Sequence, residues 1–338
     1  MNADPDIVEN CTRIFNARGK EALERARAEV LALALDSGIL SSALKYFAKV
    51  TLRYALPVFP ALMSLSCLAV GGKTDKTAGA SVALMLYAGA ADIHDDIIDK
   101  SNCKYSRKTV YGKFGPEVAL LTGNALLIQG SNLLHKECES LPEEERHRIL
   151  NVTTRAFFET SMAEAKETRL RGKSTIAPRE YLETIELKAS VPRVHCEIGA
   201  ILGEGSEDEN QKLANYGKTF GILSLTVEEI ADILDPIESE SRMRNECPPL
   251  PFLYAISSLT VRNEILQLFP KHEFSRTNLE KAAKIALASS EVKKLSKRME
   301  QRVFAQINEL SFIKDRKIRE EFAALLFAQV SLLKHSLQ

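Results

Sequence analysis

The stretch Tyr87–Gly115, YAGAADIHDDIIDKSNCKYSRKTVYGKFG, decides the fold class. It sets four aspartates, Asp92, Asp95, Asp96 and Asp99, within eight residues, after an alanine-rich apolar run and ahead of a group of lysines and arginines. Spacings of three and four bring these acids to one side of a helix, a turn apart. Carboxylates held so close repel each other unless a cation sits among them. Mg²⁺ suits the pattern, because it takes hard oxygen ligands and is usually held by one or two carboxylates plus substrate phosphates.

The run leading into the acids, Ser81 to Ala91, is hydrophobic nearly all round and so predicts a helix enclosed by others. Helical periodicity recurs in EALERARAEVLALAL, YLETIELKASVPRVHCEIGAILG and REEFAALLFAQVSLLKHSL, whereas strand-like alternation is nearly absent. Two helix starts carry a capping-box pattern, Ser140 with Glu143 and Ser206 with Glu209. Breaks rich in Gly, Pro, Ser or charge fall at ECESLPEEERH, RGKSTIAP, GEGSEDENQ, DPIESESRMRNECPPLP and PKHEFSRTN, and none reads as an interdomain linker. The expectation is one all-α domain over residues 1–338, a helical bundle with a central cavity between two acidic helices.

Lysine plus arginine (45) balance aspartate plus glutamate (45), so any basic site is local and a nucleic-acid footprint is not expected. The six cysteines are scattered without a CxxC pair, which fits small core residues in a reducing cytoplasm. The acidic start MNADPDIVEN lacks the regions of a secretory leader. The longest uncharged run, Tyr54 to Gly72, holds two prolines and two serines and reads as a core helix rather than a membrane span.

A second acidic group lies in GILSLTVEEIADILD, where Glu228 and Asp232 are one turn apart, Glu229 is adjacent and Asp235 follows Asp232 by three. An acidic helix stretch is most often a solvated face. These acids instead interrupt two of the most apolar helices of the chain, where unpaired charge is costly. Two such helices could clamp metal ions around one polyanion, with lysines and arginines balancing the remaining phosphate charge.

Together these residues resemble the trans isoprenyl diphosphate synthases, the polyprenyl synthetase family that includes farnesyl and geranylgeranyl diphosphate synthases. Asp95-Asp96-Ile97-Ile98-Asp99 looks like the first D-D-x-x-D motif, and Gly123-Asn124-Ala125-Leu126 like the family's G-D-x-L. Gly71-Gly72-Lys73 is similar to the start of G-G-K-R-x-R-P, Lys188 to the lysine of K-T-A, and Glu228-Glu229-x-x-Asp232 to the second aspartate-rich motif. The likeness covers about 44–256, in family order.

The resemblance implies the isoprenoid synthase fold and a prenyltransferase of the geranyltranstransferase type. It implies about three Mg²⁺ ions that help ionise an allylic diphosphate (dimethylallyl, geranyl or farnesyl), which isopentenyl diphosphate then attacks. On the same basis Asp95, Asp99, Glu228 and Asp232 would be metal ligands, and Asp95, Asp96, Asp99 and Lys188 the catalytic group. Lys104 and Lys188 would hold the allylic diphosphate, and Lys73 and Lys76, with Arg107 as a substitute, isopentenyl diphosphate. Tyr87, Ala90 and Ala91 would border the allylic tail. Alanine where short-chain relatives often carry an aromatic implies a product of C15 or longer, with Tyr87, about 12 Å back along the helix, as a deeper floor. A homodimer is implied as well.

The departures concentrate on the isopentenyl side. The family's paired arginines fall at Lys104 and Tyr105, a histidine at Ala88, the arginines of G-G-K-R-x-R-P at Thr74 and Lys76, and an F-Q pair at Ser224-Leu225; Cys247 lies near a family lysine. A charge-assisted hydrogen bond contributes about 1.5–3 kcal/mol, so two uncompensated losses weaken binding roughly 10²- to 10⁴-fold. A second reading is therefore a weakly active or non-catalytic subunit beside an active homologue in a heteromeric synthase. A third, less favoured, is a terpene-cyclase-like enzyme. His94 and the His195-Cys196-Glu197 run read as packed helix residues rather than as a metal ligand or a nucleophile.

Overall fold

The computed structural model describes residues 5–35, 37–104, 107–173, 176–269 and 274–337. Tyr105, one of the departures noted above, lies outside them. The described chain is helical almost throughout. In order the helices are Pro5–Leu33 (α1), Ile39–Tyr46 (α2), Leu52–Tyr54 (α3), Val58–Ala69 (α4), Ala78–Asp99 (α5), Val110–Phe114 (α6), Pro116–Cys138 (α7), Glu143–Leu170 (α8), Pro178–Lys188 (α9), Ser190–Leu202 (α10), Glu207–Leu234 (α11), Pro236–Asn245 (α12), Leu250–Ala255 (α13), Leu259–Gln267 (α14), Arg276–Ala288 (α15), Ser290–Asn308 (α16) and Arg316–His335 (α17). The strands described are two short ones, Cys103–Lys104 (β1) and Arg107–Lys108 (β2), so the all-α expectation holds.

The chain forms two compact units. One comprises Thr12–Arg155 and Val194–Ala214, and the other Met1–Cys11, Ala156–Arg193 and Asn215–Gln338.

In the first unit α5 packs along α7. Its first two turns are buried without interruption from Gly79 to Leu86, as the all-round apolar run predicts. Close approach is secured by two glycines. A Cβ on Gly89 would stand 2.6 Å from the tip of the Phe47 ring, and one on Gly130 would stand 3.0 Å from the Ala83 carbonyl oxygen. Most of α4 is buried too, which places the uncharged run Tyr54 to Gly72 largely in a core. No single helix among the described residues is long and apolar enough to cross a membrane; Ile39–Tyr54 and Val58–Ala69 pass that test only jointly, bent by 61°. The six cysteines are free thiols.

In the other unit α13 packs against α9, α15 and α16, and α16 against α17. Tyr216 is fully buried, with its ring edge-on to Phe322 at 4.5 Å and its hydroxyl donating to the Phe322 carbonyl.

One capping box forms as expected. The Ser206 N–H donates to Glu209 Oε2 at 2.8 Å, and the Glu209 N–H returns to Ser206 Oγ at 3.4 Å. The other does not: α8 begins at Glu143, so Pro142 rather than Ser140 precedes its first residue. Helix ends are the least legible feature of a sequence.

Candidate active site

The first acidic cluster closes α5. The helix stops at Lys100, whose left-handed backbone (φ 55°) turns the chain away while its N–H caps the Asp96 and Ile97 carbonyls. The ribbon β1–β2 then brings the chain back, with Lys104 paired to Arg107 in register. Thr109 ties the ribbon down: its hydroxyl donates to the Ser101 carbonyl at 2.6 Å and accepts from the Gly112 N–H at 2.8 Å, capping α6.

This geometry delivers the Lys104 ammonium into the aspartates. It lies 3.0 Å from Asp92 Oδ1, 2.9 Å from Asp96 Oδ1 and 3.7 Å from Asp95 Oδ2. Burial alone would lower its pKa, but the three carboxylates outweigh it and raise it far above the usual lysine range. Asp96 is pushed up to about 7, chiefly by burial and against the pull of Lys104, with Asp92 and Asp95 adding to the rise. Asp95 keeps one oxygen, Oδ1, buried without a hydrogen-bond partner. Asp99, half-buried, ends the helix one turn on.

This cluster fits a hydrated divalent cation. It presents hard oxygens, an unpartnered buried one among them, and a lysine whose long flexible side chain is 37% exposed. Among the described residues no three His, Cys, Asp or Glu side chains form a ready metal cage. A Mg²⁺ site completed by phosphate oxygens does not require one.

The second cluster lies in the other unit and differs in kind. Of the adjacent pair, Glu228 is exposed and Glu229 is buried, because neighbours on a helix point about 100° apart. Glu229 Oε2 accepts from the Leu250 N–H at 2.6 Å, and its Oε1 from the Tyr181 hydroxyl at 2.9 Å and from Arg242 Nη2 at 3.0 Å. Asp232 is bonded to Nη1 of the same guanidinium. Burial pushes Asp232 up to about 7 against the pull of Arg242, with Glu229, Glu238 and Glu228 adding. Asp235 leaves the group: its side chain caps α12, accepting from the Ile237 N–H at 2.9 Å, with Pro236 at the first helical position. The donor set of this cluster is engaged by the chain itself and does not fit a metal ion as it stands.

Lys188, in the last turn of α9, reaches Glu164 at 3.0 Å and Glu167 at 2.7 Å, two acids of α8 that the sequence patterns did not single out. Lys73 and Lys76 are both exposed on the segment before α5, and Lys76 is ion-paired with Glu204. Arg107 is exposed, its guanidinium 4.0 Å from the centre of the Tyr54 ring. Ala90 is fully buried in the core around Phe47, Leu86 and Ile93, whereas Tyr87 and Ala91 are half-buried. His94 packs onto Gly123, where an added Cβ would meet its ring at 2.4 Å. His195 is buried and stacked on Phe59 at 5.2 Å, as a core residue should be.

Sequence reasoning missed Arg242 and Tyr181. The signal was present in part: Asp-Pro at 235–236 marks a helix start, which would have turned the first part of the supposed break over 235–251 into a helix. Nothing in the pattern says which side of that helix turns inward.

These features define an all-α protein with two acidic helix segments, each supplied with basic partners. The family model for polyprenyl synthetases matches residues 55–284, and the chain belongs to that family. It is 29% identical over 189 residues to a geranylgeranyl diphosphate synthase of Methanosarcina mazei, a match covering 55% of this chain and 57% of that protein. It is 26% identical over 172 residues to a geranylgeranyl diphosphate synthase of Sulfolobus acidocaldarius, covering 51% and 52%. The matched regions thus span little more than half the length of these relatives. The structure is similar to that of a geranylgeranyl pyrophosphate synthetase from Pyrococcus horikoshii, with a TM-score of 0.82 over 95% of this chain and 98% of that one, at 19% identity.

Proposed function

We propose that the chain is an isoprenyl diphosphate synthase, extending an allylic diphosphate with isopentenyl diphosphate. The observation that carries the reading is the first cluster, in which Asp95 keeps a buried unpartnered oxygen beside a movable Lys104. In this reading Asp95 and Asp99 would hold Mg²⁺ together with the diphosphate, and the metal would supply Lewis-acid pull on the leaving oxygens. Lys104 moves from the aspartates to the arriving diphosphate. Asp96, held close to Lys104, positions that ammonium. Lys73, Lys76 and Arg107 receive isopentenyl diphosphate. The chain acts as one domain, in the cytoplasm, a location its free thiols support.

Incorporation of labelled isopentenyl diphosphate by the purified chain alone, with Mg²⁺ and geranyl or farnesyl diphosphate, tests the reading. Turnover with a chain-extended product is expected. One observation favours the second reading, a weakly active subunit beside an active homologue: Lys76 is engaged by Glu204, and Arg107 lies over Tyr54. No turnover alone, with turnover restored by a partner synthase, would establish that reading instead.

The half-buried Ala91 lies one turn before Asp95, where the allylic tail would begin. Ala91→Phe is expected to shorten the product by at least one isoprene unit, as read by chromatography of the dephosphorylated products. An unchanged product distribution would remove Ala91 from the tail pocket.

The homodimer reading is supported by α7, which exposes Leu120, Leu121 and Ile128. Such a row of large apolar side chains on one helix is a common mark of an interface. Replacing Leu121 and Ile128 together by glutamate is expected to halve the mass measured by light scattering. A wild-type mass of a single chain would end the dimer reading.

A further inference from the structure

We propose that Arg242 is the resident cation of the second acidic cluster, so that Asp232 and Glu229 hold a guanidinium in place of a metal ion. The inference rests on the functional reading above and revises the metal role that resemblance assigns to Asp232.

The geometry is that of a bridging cation. Asp232 and Glu229 stand three residues apart on α11, and one guanidinium joins them, Nη1 to Asp232 and Nη2 to Glu229. The remaining valences are fastened as well: Nη2 donates to the Tyr181 hydroxyl at 2.7 Å, and Nε lies 3.2 Å from the Cys247 carbonyl and 3.0 Å from Glu246 Oε2. All three nitrogens are therefore engaged, on a side chain that is 7% exposed. An arginine keeps its charge at any ordinary pH, and its fork occupies Asp232 Oδ2 and Glu229 Oε1, the oxygens that a Mg²⁺ ion bridging the two acids would need.

The contrast with the first cluster makes the assignment specific. Lys104 meets its aspartates with a single ammonium on a half-exposed stem and leaves Asp95 Oδ1 unpartnered. Arg242 could leave Asp232 only by also giving up Glu229, Tyr181, Glu246 and the Cys247 carbonyl. Glu229 could not follow it, because its other oxygen is held by the Leu250 N–H. Glu228 lies one turn before Asp232 on the same side of α11, but it is exposed and stands outside the fork that joins Asp232 and Glu229.

The test is equilibrium dialysis of the full chain against Mn²⁺ and inorganic diphosphate, counting manganese in excess of the dialysate by metal analysis. Far-UV circular dichroism confirms that each variant is folded. Asp232→Asn is expected to leave bound manganese and its half-saturation within about twofold of wild type. Asp95→Asn is expected to weaken it by about tenfold or more, since even an outer-shell loss costs about 10- to 100-fold. Arg242→Gln is expected to gain about one manganese per chain, and Asp232→Asn in that background to remove the gain. A wild-type chain that loses a manganese on Asp232→Asn alone overturns the proposal, whether or not the Arg242 variant folds. Unchanged binding in Asp95→Asn would instead sink the functional reading while leaving Arg242 where it is. A wild-type chain that takes up no manganese would also count against that reading, and would agree with a second cluster closed by its own cation.

Discussion

Asp95→Asn is expected to lower isopentenyl incorporation by roughly 10³-fold or more at saturating Mg²⁺. The substitution keeps the size of the side chain and removes its charge, so packing against Lys104 is little disturbed. What is lost, on the proposed function, is an anionic metal ligand; the structure gives its Oδ1 as buried and without a partner. Lewis-acid stabilisation of a leaving diphosphate is of the order of several kcal/mol, and about 1.4 kcal/mol is a factor of ten in rate. Steady-state rates for wild type and variant, with labelled product counted, decide it. A loss below about tenfold would remove Asp95 from the chemistry. Asp99→Asn should behave alike if both residues hold metal, whereas Asp92→Asn, whose carboxylate serves Lys104, should cost less.

The second large effect is on stability. Arg242→Met is expected to destabilise the chain by about 3–5 kcal/mol, the range found when one partner of a buried ion pair is removed and the other is left charged. The stranded groups would be Glu229 and Asp232, with Tyr181 and the Cys247 carbonyl losing a donor. Methionine fills the arginine stem's volume, so the loss reports charge and hydrogen bonding rather than a cavity. Urea unfolding followed by circular dichroism measures it. Adding Glu229→Gln and Asp232→Asn to Arg242→Met should recover part of the loss, because neutral partners no longer carry uncompensated charge. A destabilisation below about 1 kcal/mol would mean that water or another cation reaches these acids when Arg242 is gone.

The two experiments separate the clusters by function. The first is predicted to matter for turnover more than for folding, since its cation is a half-exposed lysine on a short ribbon. The second is predicted to matter for folding first, since its cation is buried and joins α12 to α9 and α11, while Glu229 ties the same group to the start of α13. A family pattern read on acids alone would give both the same task.

Much of the fold was legible in the sequence. Apolar residues three and four apart announced the helices, and the unbroken apolar stretch before Asp92 announced an enclosed one; α5 is buried from Gly79 to Leu86 for that reason. The stop after Asp99 was less legible, because Lys100 adopts a left-handed conformation usually left to glycine or asparagine. The start of α8 was misplaced because Ser140 and Glu143 have the right spacing for a capping box, while Pro142 stands immediately before the helix. Asp235 was grouped with the acids by its spacing, although the proline that follows it favours the role of a helix cap.

For the site, the sequence by itself determined which residue types exist and how they recur along a helix. Four aspartates at helical spacing, a glutamate pair with Asp232 one turn on, and lysines nearby are properties of the chain before it folds. Only the tertiary structure decided what each acid meets. Arg242 lies ten residues beyond Asp232, and Tyr181 forty-eight before Glu229, so their convergence depends on how separate helices pack and not on any local period. Adjacent acids on a helix diverge by about 100°, and it is burial against α9, α12 and α13 that selects Glu229 and leaves Glu228 to solvent. Charge at a site is the sum over everything the fold brings within a few ångströms, and for that reason two similar acidic strings came to hold two different cations.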